Sequence, residues 1–251
     1  MLQFNYSKIC QDIFNPLAPR QKEVLERRFG ISTGQRETLD SIGQNLGLTR
    51  ERIRQIENEA FSKLEREKDK RELRRVFLHF KRYLERSGGF KKEDMLLGDL
   101  GGEDFNRHIY FLLTLADGFW RISETDNFYT FWTIEKDFKP KVETLLDSLS
   151  QRFYKANKLF SEEELLSREK KEPQILHTLL EVAKRIEQDP QGQFGLTDWP
   201  EIKPRGIKDK AYLVFKEEEK PLHFTKVAIF IGKETHPQTV HNELIRDPRF
   251  V

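Results

Sequence analysis

The chain has 251 residues, of which 37% are hydrophobic and 34% charged, with a net charge of +2. No apolar run approaches the length of about 18 residues that marks a membrane span, and the first residues do not resemble a signal peptide. A single cysteine, Cys10, excludes an internal disulfide framework and fits a reducing compartment. We therefore expect a cytoplasmic protein without membrane contacts, and length alone suggests about two domains.

Charge is distributed unevenly along the chain. Residues 1–71 carry 14 Lys/Arg against 11 Asp/Glu, and residues 203–251 carry 10 against 7. Residues 72–139 and 140–202 have small acidic excesses, 11 against 12 and 9 against 12. Because phosphate contacts dominate the affinity of proteins for nucleic acids, the basic ends are the better candidates for contacting DNA.

Two short amphipathic helices are predicted within Thr38–Leu64, TLDSIGQNLGLTRERIRQIENEAFSKL, with a turn at Gly47 between them. Apolar residues recur every three or four positions, which gives each helix one buried face. These residues are Leu39, Ile42 and Leu46 in the first helix and Ile53, Ile56, Ala60 and Leu64 in the second. A preceding helix is predicted between Pro19 and Gly30. This order of helices predicts a helix-turn-helix domain.

The second helix has a polar face opposite its apolar face, when its residues are placed at about 100° intervals. A helix of this length needs no such groups for its own stability, whereas base edges and phosphates bind them. We therefore predict a DNA-binding surface, called the reading surface below. It comprises Thr49, Arg50, Glu51, Arg52, Arg54, Gln55 and Asn58.

The run RETLDSIGQNLGLTRERIRQIENEAFSKLE resembles region 4 of the sigma-70 class of bacterial sigma factors, which docks on the promoter −35 element. The TRERIRQIE core carries most of the likeness, and the resemblance covers about residues 10–68. It implies that Arg50, Glu51 and Gln55 contact base edges and that Arg52 and Arg54 lie nearer phosphates. Double-stranded promoter-like DNA and RNA polymerase are the implied partners.

The rest of the chain contains a repeated pattern, since FWTIEKDFKPKVETLLDSL parallels DWPEIKPRGIKDKAYLVF. Each copy leads into an amphipathic helix, a short segment that begins with Phe, a further helix and a strand-like segment. The predicted fold class is therefore mainly α, with tandem helix-turn-helix and winged-helix (α+β) modules. The predicted domains are 1–70 for the helix-turn-helix domain and 71–138, 139–202 and 203–251 for the winged-helix modules.

Local signals support this plan. Phe119–Ser123 and Phe128–Ile134 are predicted to form a hairpin, and Ser161 with Glu164 has the pattern of a capping box. Aromatic residues of these modules are expected mainly in their cores rather than on a stacking surface for single-stranded nucleic acid.

The last module resembles the HARE-HTH domain, a winged helix found in the delta subunit of bacterial RNA polymerase and in chromatin and restriction proteins. KPLHF at 220–224 and TVHNELIRDPRF at 239–250 carry the resemblance. The wing is expected to be truncated, because only DPRFV remains for its first strand. The resemblance implies a second nucleic-acid or partner surface at Thr239, His241, Asn242 and Arg246. The alternative is that His241 and Asn242 serve only in capping and packing.

Catalysis is not expected, since the chain lacks the nucleotide-binding and metalloprotease motifs. His236 and His241 are five residues apart on a helix and point away from each other, and the chain has one cysteine, so we expect no metal. We also expect no other cofactor and no small-molecule ligand. Between Glu103 and Asp137, three basic residues stand against seven acidic ones, which favours binding of protein rather than DNA in the middle of the chain.

Three hypotheses for function follow. The first is a sigma-like transcription factor that reads a −35-like element and recruits or modulates RNA polymerase. The second is a delta-like polymerase accessory protein that acts through protein contacts. The third is a restriction- or defence-associated DNA-binding protein.

Overall fold

The computed structural model describes residues 4–168 and 173–250. These residues form a mainly α-helical protein with small antiparallel sheets. This confirms the predicted fold class. No helix in the described part of the chain is both long and apolar enough to cross a membrane.

The chain divides into two compact units. Unit 1 contains residues 1–125 and 129–140, and unit 2 contains residues 126–128 and 141–251. The predicted domain boundary at residue 70 lies inside unit 1, and the one at residue 202 lies inside unit 2.

Unit 1 contains the predicted helix-turn-helix and the segment that follows it. Its helices are α1 (Tyr6–Ile13), α2 (Pro19–Phe29), α3 (Leu39–Leu46), α4 (Arg50–Leu64), α5 (Arg71–Arg86) and α6 (Glu93–Leu115), with a 3-10 turn at Glu65–Glu67. Its strands are β1 (Phe90–Lys92), β2 (Trp120–Ile122) and β3 (Phe131–Thr133). Helix α2 begins at Pro19 and ends at a left-handed Gly30, as predicted.

One hydrophobic core extends through most of unit 1. Helix α1, which the sequence did not predict, contributes Tyr6, whose hydroxyl donates a hydrogen bond to the Leu100 carbonyl oxygen at 3.2 Å. Phe29 of α2 and Phe111 of α6 meet edge to face at 5.1 Å. The helix-turn-helix and the segment from residue 71 to 134 therefore share buried apolar surface, to which α4 contributes Ala60 and Leu64.

The elements of residues 71–133 follow the order helix, strand, helix, helix, strand, strand. Gly102 has non-helical backbone angles inside α6, so α6 is two helices joined at a kink. The sheet order is β1-β3-β2, and both pairings are antiparallel. The hairpin predicted at 119–134 is confirmed by the pairing of Trp120 with Thr133. Strand β1 was not predicted, because three residues carry no readable period.

Unit 2 repeats part of this arrangement. Its elements are α7 (Lys139–Ala156), α8 (Glu162–Arg168), α9 (Pro173–Val182), β4 (Ile186–Gln188), β5 (Phe194–Leu196), α10 (Gly206–Glu218), α11 (Phe224–Ile231) and α12 (Pro237–Arg246). Strands β4 and β5 are antiparallel, and Phe160 forms a bridge to Phe194 in the position that β1 takes in unit 1. The predicted capping box is present, because Ser161 and Glu164 exchange backbone-to-side-chain hydrogen bonds of 3.2 and 3.1 Å.

The last three helices enclose a small core of Ala211, Val214, Val227, Ala228 and Val240. The strand expected at DPRFV is not observed, because Pro248–Phe250 forms a 3-10 turn; Val251 lies outside the described residues. The turn is closed by an ion pair between Arg249 and Asp247 and by the contact of Phe250 with Phe215 at 5.4 Å.

Candidate nucleic-acid interface

Helix α4 presents the whole reading surface to solvent. All seven of its residues, from Thr49 to Asn58, are exposed. The opposite face is buried, with Ile53 at 0% and Ile56 at 5% exposure. These two residues pack with Ile42 of α3 and Val24 of α2, and with the half-buried Leu39, Leu46 and Leu48. The predicted packing of the two helices is confirmed, and Val24 is an additional partner from α2.

The turn between α3 and α4 fixes where the reading surface begins. Gly47 ends α3 in the left-handed conformation with φ of 65°, which glycine adopts without steric cost. Thr49 caps α4, since its hydroxyl accepts a hydrogen bond from the Arg52 amide at 3.2 Å. Gly43 allows the turn to pass close to α3, because a Cβ there would lie 2.6 Å from the Leu48 carbonyl oxygen.

The charged side chains near the start of α4 differ in how closely they are paired with other residues. Arg54 binds Glu51 through two hydrogen bonds of 2.8 and 2.7 Å. This guanidinium lowers the pKa of the Glu51 carboxyl, which stays ionised and can only accept hydrogen bonds. Arg50 is held more loosely, with its Nε 3.9 Å from Asp40 Oδ2 and its side chain 70% exposed. Arg50 is therefore the most available cation on the reading surface.

The remaining polar side chains of the reading surface lie on α4 beside the first group. The Arg52 guanidinium donates a hydrogen bond of 3.1 Å to Gln55 Oε1 and lies 3.9 Å from Glu59. The Gln55 side chain is also hydrogen-bonded to the Glu51 carboxylate, so its amide is oriented by both neighbours. Asn58 follows on the exposed side of α4. Its backbone carbonyl oxygen accepts a hydrogen bond of 3.0 Å from the Ser62 hydroxyl.

Three charged residues that were not predicted as functional, Arg27, Arg28 and Glu37, connect the helices of the helix-turn-helix. Glu37 accepts hydrogen bonds from Arg27 at 2.8 and 2.6 Å and from the Ser41 hydroxyl at 3.2 Å. Arg28 donates to the Glu37 carbonyl oxygen at 3.0 Å and to Glu57 of α4 at 3.3 Å. The Arg27 guanidinium also lowers the pKa of Glu37. This network joins α2 to the start of α3 and to α4, and the pairing of residues 27 and 37 has no local sequence signal.

The second predicted surface lies on α12 in unit 2. Thr239, Asn242 and Arg246 are exposed, whereas His241 is half-buried against the Phe224 ring at 4.8 Å. Asn242 accepts a hydrogen bond of 3.3 Å from Gln238. His236, one residue before α12, caps the helix by accepting from the Gln238 amide at 3.3 Å.

An ion-pair cluster fixes the end of α12. Arg249 donates to Asp247 at 2.6 Å and to Asp209 of α10 at 2.8 Å. Its guanidinium lowers the pKa of Asp247 to about 2. The cluster connects the end of the described chain to the first helix of the predicted third winged-helix module. It has no local sequence signal, because Arg249 and Asp209 are 40 residues apart.

Comparison with known proteins bears on the helix-turn-helix. The family model for Sigma-70, region 4 matches residues 14–66. This match confirms the sequence prediction for that segment. The matched residues contain α2, α3 and α4 with the entire reading surface.

Individual relatives match the same part of the chain. The RNA polymerase sigma factor SigA of Clostridium acetobutylicum is 50% identical over 52 residues, which are 21% of this chain and 14% of that protein. SigA of Microcystis aeruginosa is 46% identical over 54 residues, 22% and 13% of the two chains. The RNA polymerase sigma factor sigB of Arabidopsis thaliana is 45% identical over 56 residues, 22% and 10% of the two chains. The similarity to these proteins thus spans about a fifth of the chain and less than a sixth of each relative.

Proposed function

We propose that this protein is a DNA-binding transcription factor of the sigma-region-4 type, which acts in the cytoplasm by binding rather than catalysis. Helix α4 reads a promoter −35-like element in double-stranded DNA. The remaining modules, which we interpret as winged helices and the last as HARE-HTH-like, link that contact to RNA polymerase or other proteins.

The observation that carries this proposal is the division of α4 into two faces. One face is buried against α2 and α3, and the other presents the exposed side chains of the reading surface. The charge states of these side chains suit base edges. Arg50 can pair with guanine, the ionised Glu51 can accept from cytosine, and the oriented Gln55 amide suits adenine.

Two arginines on the same helix provide the first test. Arg50→Ala should relax sequence specificity, because a good bidentate pair gives about 1–3 kcal/mol of discrimination against the wrong base. Arg52→Ala should weaken binding to all duplexes alike. It should also make the slope of log affinity against log salt less negative by about one, because one phosphate contact is lost. Fluorescence anisotropy with a −35-like duplex and a scrambled duplex measures both quantities.

The two variants act as controls for each other, since both remove one exposed guanidinium from α4. If Arg50→Ala discriminates between the two duplexes as well as the unmodified protein does, the assignment of the reading surface is wrong.

Protein contact through the first predicted winged-helix module is supported by an acid-lined cleft of about 630 Å³ in unit 1. Its carboxylates are Glu93, Asp94, Glu103, Asp104 and Glu124. Glu93 is paired with Arg121 and Asp94 with Lys92. Of the remaining lining charges, Glu103 and Asp104 outnumber Arg107, which favours a basic protein surface over phosphate. The delta-like accessory role is the second candidate function on this ground. Polymerase that co-purifies with the unmodified protein, but not after Glu103→Lys/Asp104→Lys, would support this role.

A further inference from the structure

Helix α5 has an exposed row of arginines that the function above does not use. Arg71, Arg75, Arg82 and Arg86 recur at helical spacing on one side of α5, with Leu78 between them, and all five residues are exposed. We call this row the α5 stripe. The opposite side of the helix is buried through Leu73, Val76, Phe80 and Leu84.

In the part of the chain that the structure describes, the arginines of the α5 stripe are not ion-paired. Among residues 4–168 and 173–250, none of the four forms an ion pair or a side-chain hydrogen bond. The two other basic residues of α5 are paired, since Arg74 lies 2.6 Å from Asp69 and Lys81 lies 3.9 Å from Glu85. On the reading surface, Arg54 is likewise paired with Glu51. The α5 stripe is therefore a row of four exposed guanidinium groups that no ion pair among the described residues neutralises.

Like charges four residues apart on a helix destabilise it, and Arg71 with Arg75 and Arg82 with Arg86 are two such pairs. Packing does not require these side chains, because they are on the outer side of α5. Four unpaired guanidiniums are instead the groups that bind phosphates in bidentate fashion. Residues 72–139 have a slight acidic excess in total, but no residue of the α5 stripe lines the acidic cleft.

We infer that the α5 stripe is a second DNA-binding surface, which contacts the phosphate backbone of double-stranded DNA without reading sequence. From Arg71 to Arg86 the helix rises about 22 Å. A DNA duplex carries one phosphate charge per about 1.7 Å of its axis, so the row faces a continuous line of negative charge. The stripe begins seven residues after α4 ends and belongs to the same compact unit. This inference rests on the proposed DNA-binding function and adds to it a contact outside the helix-turn-helix.

The test compares two double variants of the full chain that remove the same charge from α5. Arg75→Gln/Arg82→Gln removes two cations of the stripe, and Arg74→Gln/Lys81→Gln removes the two paired cations. Affinity for a scrambled 30-base-pair duplex is measured by fluorescence anisotropy over a range of KCl concentrations. In the stripe variant, affinity should fall less steeply with salt, and the slope of log affinity against log salt should become less negative by about 1.8. At 0.1 M salt this corresponds to an affinity loss of up to about 60-fold. The control variant should leave the slope nearly unchanged.

Equal slopes for the two variants, or no change in either, would overturn the inference. Arg71→Gln/Arg86→Gln is an independent second variant from the ends of the row, and it should behave like Arg75→Gln/Arg82→Gln. Weaker binding of the stripe variants to polyglutamate, with an unchanged duplex slope, would also overturn it and indicate an acidic protein partner. A failure of the proposed function is seen separately, as a lack of discrimination between −35-like and scrambled duplexes by the unmodified protein.

Discussion

Replacing Ile53 by alanine tests whether α4 has the rotation on which the reading surface depends. Ile53 is fully buried in a cluster with Val24, Ile42 and Ile56. This cluster is separate from the main core of unit 1, which begins on α4 at Ala60. The substitution should therefore loosen the helix-turn-helix selectively.

The expected cost follows from the buried carbon that is lost. Ile53→Ala removes three carbon atoms, which at about 0.8 kcal/mol per buried CH₂ gives about 2.4 kcal/mol. Incomplete collapse adds about 24 cal/mol per Å³ of residual cavity, so a void of about 40 Å³ adds about 1 kcal/mol. The free energy of unfolding should fall by about 3 to 4 kcal/mol. Ile53→Val, which removes one carbon, should cost only about 0.5–1.5 kcal/mol.

Urea unfolding and native-state hydrogen exchange together measure this effect. Exchange of the backbone amides in α3 and α4 should accelerate in Ile53→Ala, while that in α5 should change little. Arg54→Ala is the matched control, because residue 54 follows directly but its side chain is 52% exposed, and its unfolding midpoint should stay near that of the unmodified protein. Equal midpoints for Ile53→Ala and Arg54→Ala would refute the assigned rotation of α4.

Two further predictions concern the turn and the carboxyl-terminal ion pairs. Gly43→Ala should destabilise the helix-turn-helix by more than about 1 kcal/mol, because its Cβ would lie 2.6 Å from the Leu48 carbonyl oxygen. Gly98→Ala on α6 meets no atom within 4 Å and should instead stabilise by about 0.5–1 kcal/mol; denaturant midpoints that fall equally would contradict this contrast. The pKa of Asp247 is lowered to about 2 by Arg249, below the value of about 3.9 for an unfolded chain. Its stabilising contribution should be complete above about pH 4 and should be lost as pH falls towards 2. Asp247→Asn should therefore cost about 1.5–3 kcal/mol at pH 7 and should reduce the acid-induced loss of amide protection in α10 and α12; an unchanged acid profile would exclude this ion pair as its source.

Helix ends and helix faces were predictable because their signals are local. The turn at Gly47 and the apolar spacing of α4 were predicted from about fifteen consecutive residues. The role of Thr49 as the helix cap was not predicted, although Thr is a common residue at that position. The assignment of the reading surface needed only the opposite side of the same helix. The type of DNA-binding domain was inferred from the similarity of residues 14–66 to Sigma-70, region 4.

Short strands and isolated ion pairs could not be predicted in this way. Phe90 and Phe160 were recognised as the first residues of short segments, but their pairing with strands more than 30 residues later has no periodic signal. Helix α1 is also stabilised from a distance, through contacts such as Tyr6 with Leu100. In each case the stabilising partner comes from another part of the sequence.

The amino-acid sequence by itself determined the helix-turn-helix, because its caps, turn and amphipathic spacing act between neighbours along the chain. Only the tertiary structure decided which charges remain unpaired. Glu37 pairs with Arg27 and Arg249 with Asp209, whereas the arginines of the α5 stripe form no ion pair with any of the described residues. The physical reason is that a charge is neutralised by groups close in space, and sequence composition averages over charges that the fold keeps apart.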